Sequence, residues 1–77
     1  MVDSIVEIYL KDEGWFRIDF EDLKPGMLFR MFEPLSMNPV IYDDSDRWIV
    51  VKPPFFDGAE GKEKITIRRH LEIVGKF

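Results

Sequence analysis

Seventy-seven residues, 45% hydrophobic and 34% charged, with a net charge of −4 and no cysteine, leave room for one small domain over 1–77. Length excludes a Rossmann domain, a TIM barrel and a two-domain enzyme. The apolar content excludes a disordered tail, and the missing cysteine excludes a disulfide scaffold or a thiolate zinc site.

Ser4 to Lys11 predicts a strand, with Val6, Ile8 and Leu10 alternating against Ile5, Glu7, Tyr9 and Lys11. Asp12-Glu13-Gly14 predicts a turn. Trp15 to Phe20 alternates again, with Phe16, Ile18 and Phe20 on one face and Trp15, Arg17 and Asp19 on the other, so the two segments read as a hairpin. Glu21-Asp22-Leu23 fits one helical turn. Pro25-Gly26 has the type II turn pattern, with proline presetting φ and glycine supplying a positive φ. Met27 to Glu33 predicts a strand with Met27, Phe29 and Met31 on one face and Leu28, Arg30 and Phe32 on the other. Pro34 to Pro39 predicts a loop, because two prolines remove two ladder donors. Val40 to Tyr42 predicts a short strand, Asp43 to Asp46 an acidic turn, and Arg47 to Lys52 a strand with Trp48 and Val50 opposite Ile49 and Val51. Pro53-Pro54 is expected to end that strand and open a loop from Phe55 to Lys62. Glu63 to Arg68 alternates around Ile65 and Ile67, and His70 to Val74 predicts the last strand.

No stretch sustains a helical period, and no repeat is present. The expectation is an all-β fold, a small SH3-like antiparallel barrel of five or six strands, because closure removes exposed edges. Seven Phe, two Trp and two Tyr are the expected substitute for disulfides in so small a core. No apolar run exceeds the four residues Trp48 to Val51, so no membrane span is expected. Met1-Val2-Asp3-Ser4 has neither a basic segment nor an apolar one, and a cytoplasmic location follows as the expectation.

Catalytic chemistry is poorly represented. His70 is the only histidine, and no nucleophile-elbow pattern surrounds Ser4, Ser36 or Ser45. Asp43, Asp44 and Asp46 lack the glycine and distant glutamate of a calcium loop, with Arg47 and Trp48 following instead. Glu21-Asp22 reads as an acidic first turn. No enzyme activity, cofactor or metal is expected. Two surfaces remain as candidates. Phe32, Trp48, Phe55 and Phe56 fit no single core face: folded back, Phe55 and Phe56 plug the end of the barrel, and exposed, the four rings with Arg30 are anchors for a protein partner or a second copy of the chain. Lys62, Lys64, Arg68 and Arg69 form the basic alternative, a nucleic-acid-binding strand with affinity falling steeply with salt. Residues 1–46 carry four Lys/Arg against eleven Asp/Glu, and the rest seven against four, so the basic residues gather at the end of an acidic chain.

The segment Leu23-Lys24-Pro25-Gly26-Met27-Leu28-Phe29-Arg30-Met31-Phe32-Glu33-Pro34 resembles an LKPGMxFRxFEP-like motif of small proteins of unknown function encoded by bacteriophages and prophages of Gram-positive bacteria. The likeness covers residues 20 to about 56, including Trp48 and Pro54-Phe55, and departs at Leu35 to Asn38, where an Asp-Gly turn is absent. It implies a phage or prophage accessory protein in a bacterial cytoplasm and carries no established activity. Asp22 to Met27 is also similar to the opening of the SH3-like N-terminal domain of elongation factor P, which implies a barrel. Gly61-Lys62 is the sole counterpart of that family's basic loop.

Overall fold

The computed structural model of the protein describes residues 4–68 and 71–76. In β1 (Ile5–Leu10) Val6 and Ile8 turn inward and are buried. β2 (Gly14–Ile18) returns antiparallel beside it, setting Ile18 opposite Val6 and Trp15 opposite Tyr9. β3 (Leu28–Phe32) pairs with the other side of β1 and buries Phe29 and Met31. β4 (Trp48–Ile49) joins β3, so the first sheet runs β2-β1-β3-β4. The second sheet, β5 (Lys52–Asp57), β6 (Lys62–Thr66) and β7 (Glu72–Lys76), runs in that order. Every pairing is antiparallel, and the fold is all-β as expected. Among the described residues no ladder closes the two sheets into a ring.

The chain changes sheet at one corner. Val50 donates its N–H to Met27 O at 2.9 Å and accepts from the Gly26 N–H at 2.9 Å, on the side of the first sheet. The next residue, Val51, donates to Thr66 O of β6 at 2.9 Å. Core residues from both sheets therefore meet in one cluster: Val6, Ile8, Phe29 and Met31 from the first sheet, Ile65 and Ile73 from the second, with Trp48, Val50 and Ile67 beside them. A 3-10 turn at Phe20–Asp22, one residue earlier than expected, drops Phe20 into the same cluster.

The Pro25-Gly26 turn forms as the sequence predicts. Met27 donates to Lys24 O at 3.1 Å and Gly26 sits at φ 92°. A Cβ at Gly26 would meet nothing within 4 Å, so any cost of substitution there is backbone strain alone. Gly26→Ala is expected to lower stability by about 1–2 kcal/mol, and Gly26→Asn by less, because Asn tolerates positive φ. Urea midpoints of the two variants check this.

Three local expectations are corrected. Pro53 and Pro54 do not end a strand but lie within β5, with the register slipping between Lys52 and Phe55. β5 is an edge strand, where a missing N–H can face away from the ladder. Phe55 and Phe56 consequently stand in a strand and not in a loop. Val40 to Tyr42 forms no strand, only isolated bridges from Phe32 to Pro39 and from Tyr42 to Ser45. The latter closes a two-residue turn in which Asp43 and Asp44 hold φ of 53° and 57°, as a type I′ hairpin demands. Finally, Phe16 faces inward opposite Ile8 but remains 44% exposed, because β2 lies at the margin of the sheet.

Candidate functional site

The outward-facing residues of the first sheet form the best-organised polar and aromatic group on the molecule. Register places Glu7 between Arg17 on β2 and Arg30 on β3. Arg30 donates from Nε to Glu7 Oε1 at 2.8 Å, and its Nη2 lies 2.7 Å from the same oxygen. Its guanidinium carbon is 4.1 Å from the ring centroid of Trp15 and 5.1 Å from that of Phe32. Arg47 approaches the Trp15 ring at 5.5 Å, and Tyr9 meets Trp15 edge-on at 5.4 Å. Ile5, Leu28 and Ile49 share this face by register, Ile49 being 46% exposed.

This arrangement fixes a cation. One carboxylate and two rings hold the Arg30 guanidinium in place, and its side chain stays 27% exposed. Arginine stacked on rings contributes about 0.5–2 kcal/mol per contact, more when water is excluded. A guanidinium so held is suited to receive a carboxylate in a fixed orientation. The face carries Arg17 and Arg30 on either side of Glu7, with Arg47 at its margin offset by Asp46 at 3.2 Å. Arg17 also borders an open cleft that holds Asp19, Glu21 and Asp22, so the cationic part of the face is Arg30 with Arg47.

The structure distributes the candidates read from the sequence over three places. Arg30 and Phe32 come together on this face. Trp48 does not join them: it is 2% exposed, packs 5.4 Å from the Phe29 ring, and donates its indole N–H to Tyr42 O at 3.0 Å. It is a core residue, and its expected role as an anchor is corrected on that ground. Phe55 and Phe56 lie on the other sheet, opposite Lys64 and Glu63 respectively, so the rings point to opposite faces. They are 37% and 65% exposed. Sequence reasoning missed Glu7, Tyr9 and Trp15 as members of the site. The predicted hairpin already set Tyr9 near Trp15, but their meeting with Arg30 needs the β1–β3 pairing.

The basic stretch is not an open row of cations. Lys64 is 8% exposed, and its Nζ lies 2.8 Å from Glu60, 3.1 Å from Asp57 and 3.7 Å from Glu72. The expectation that Lys64 shares a solvated phosphate-binding face is corrected: Lys64, Ile65 and Thr66 are all buried in the central strand of their sheet. Lys62 is half-buried, and Arg68 lies 3.6 Å from Asp43. Arg69 and His70 fall outside the described residues. The open cleft, of about 460 Å³, adjoins the first-sheet face at Arg17 and brings Glu21 and Asp22 beside Asp19 and Ser4.

The Lys64 cluster gives the protein a pH dependence. Hydrogen bonds to Glu60 and then Asp57 push the Lys64 ammonium above its ordinary value, burial working the other way. The Lys64 hydrogen bond, helped by the N–H groups of Glu60 and Ala59 and opposed by burial, holds the Asp57 carboxyl below its ordinary 3.8. A lowered carboxyl stabilises the fold fully above its unfolded value and loses that contribution as pH falls through the folded one. A raised ammonium stabilises it below its unfolded value and loses that contribution as pH rises through the folded one. The cluster's contribution is therefore complete between 3.8 and 10.5 and erodes on either side. Asp57→Asn is expected to lower the urea midpoint near neutrality and to flatten the loss seen in acid. An unchanged acid slope contradicts the assignment.

Comparison with protein-family models, with curated proteins and with solved structures finds no match to this chain. Among the described residues no helix is long and apolar enough to cross a membrane.

Proposed function

We propose that this is a non-enzymatic accessory protein of phage or prophage origin, cytoplasmic in a bacterial host, that acts by binding another protein. In this reading the two sheets are the halves of an SH3-like barrel, with the corner at Val50-Val51 carrying the chain between them. The observation that supports the binding role is Arg30, oriented by Glu7 and stacked between Trp15 and Phe32 on an exposed sheet face. Trp, Tyr and Arg are the residue types that most often dominate protein interfaces. The Arg30 guanidinium on this partly apolar face fits a partner segment that presents a carboxylate beside an apolar or aromatic side chain. Phe56, 65% exposed on β5, offers a further apolar contact, with Phe55 on the opposite face.

Nucleic-acid binding through Lys62, Lys64, Arg68 and Arg69 has less support, because Lys64 is neutralised by three carboxylates. The aromatic face favours a protein too: Arg30 and Arg47 already lie over the Trp15 ring on which a base would stack.

Panning the folded protein against a displayed random-peptide library tests the proposal. Enriched peptides are expected to carry Asp or Glu next to an apolar residue. Arg30→Lys, which keeps the charge but loses the planar fork, is expected to weaken a selected peptide by about ten-fold or more. Failure to enrich any peptide, or affinity indifferent to Arg30→Lys and Trp15→Ala in folded variants, overturns it.

A further inference from the structure

The four sheet edges are protected unequally. β4 is two residues long, and the chain leaves it at once for the second sheet through the Val51 to Thr66 hydrogen bond. β5 carries Pro53-Pro54 and a register shift. β7 carries Glu72, Gly75 and Lys76 and is itself shifted against β6. Short length, proline, bulges and charge are the usual means of blunting an edge. β2, Gly14-Trp15-Phe16-Arg17-Ile18, has none of the first three, and its one charged residue, Arg17, lies on the outer face. It ends the first sheet with its second side unpaired by any described strand. Phe16, inward-facing at this margin, has Ile8 across from it on one side only and remains 44% exposed.

We infer that β2 pairs antiparallel with β2 of a second copy of this chain, about a two-fold axis at Phe16. Outward-pointing backbone groups and side-chain faces both alternate with period two. Two identical strands therefore match about a two-fold axis only when it passes through a residue, and Phe16 is the middle of β2. That register joins the two Phe16 rings, covering the ring surface the monomer leaves open. It also sets Trp15 opposite Arg17 of the second copy, twice, so no like charges oppose one another along the ladder. Gly14 opposite Ile18 ends the ladder, because the next pair would oppose Glu13 to Asp19. A ladder of five residues makes an association that depends on concentration, and it extends the first sheet from four strands to eight across the pair.

Sedimentation equilibrium of the full chain over a range of concentrations tests the inference. The parent mass is expected to rise from 9.2 kDa towards twice that value. Phe16→Lys is expected to stay at the monomer mass throughout, with circular dichroism checking that it folds. The absence of native cysteine permits a second, independent probe. Directly opposed residues in an antiparallel pair have Cα atoms about 4.5–5.5 Å apart, within the reach of a disulfide. Phe16→Cys is therefore expected to cross-link on mild oxidation faster than Phe56→Cys, although Phe56 is the more exposed ring at 65% against 44%. A parent that stays monomeric at every concentration overturns the inference, including one whose β2 instead takes up an extended peptide. So does a dimer in which Phe56→Cys cross-links as fast as Phe16→Cys.

Discussion

Gly75→Ala is expected to destabilise the protein by about 2 kcal/mol or more, although replacing glycine by alanine in a strand ordinarily helps by reducing unfolded-chain entropy. The reason is space. Gly75 lies buried in β7 beneath the Phe20 ring, and a Cβ built there would fall 2.6 Å from Phe20 Cζ and closer still to Cδ1 and Cε1. Phe20 cannot retreat freely, since it is 4% exposed and belongs to the core shared by both sheets. Gly75→Val is expected to cost more. The check is a double-mutant cycle by chemical denaturation. Phe20→Leu alone lowers stability, but in the Gly75→Ala background it is expected to recover part of the loss, giving a coupling of about 0.5–3 kcal/mol. Additive losses reject the packing explanation.

Trp48→Ala is expected to cost about 3–5 kcal/mol. A small domain has about 5–15 kcal/mol or less in all, so this single truncation threatens the folded state. Trp48 fills the core beside Phe29 and also ties down the loop that precedes it, through the indole N–H to Tyr42 O. Trp48→Phe separates the two contributions. It keeps most of the ring and loses the hydrogen bond, for an expected cost of about 1 kcal/mol by denaturant midpoint. The same variant is expected to bind a selected peptide as well as the parent does, because Trp48 does not reach the Arg30 face. Weakened binding by a folded Trp48→Phe protein contradicts that separation.

The two residues also mark where reading the sequence succeeded and where it ran out. Alternation correctly set Trp48 and Val50 opposite Ile49 and Val51, but it carries no sign: it says which residues share a face and not which face is inside. The β3–β4 pairing decided that, placing Trp48 opposite Phe29. Gly75 attracted no notice as a residue, since its partner Phe20 is far away in sequence and meets it only because the 3-10 turn tucks under β7. Lys64 looked like a cation on a solvated face by the same alternation. Its strand is central, and the acids that surround it come from both sides of it, Asp57 and Glu60 from the end of β5 and the turn that follows, and Glu72 from β7.

Composition and local pattern by themselves determined the all-β class, the β1–β2 hairpin, the type II turn at Pro25-Gly26, and the apolar sets Val6/Ile8, Phe29/Met31 and Ile65/Ile67. Each depends on residues only a few positions apart, through side-chain alternation or the φ demands of proline and glycine. The tertiary structure alone decided strand order, hence which strands are edges, which rings remain exposed, and which charges meet. Phe16 is open because β2 comes last in its sheet, and Arg30 is held because β3 lies beside β1. Pairings of that kind are set by the packing of the whole core, and no short stretch of the chain encodes them.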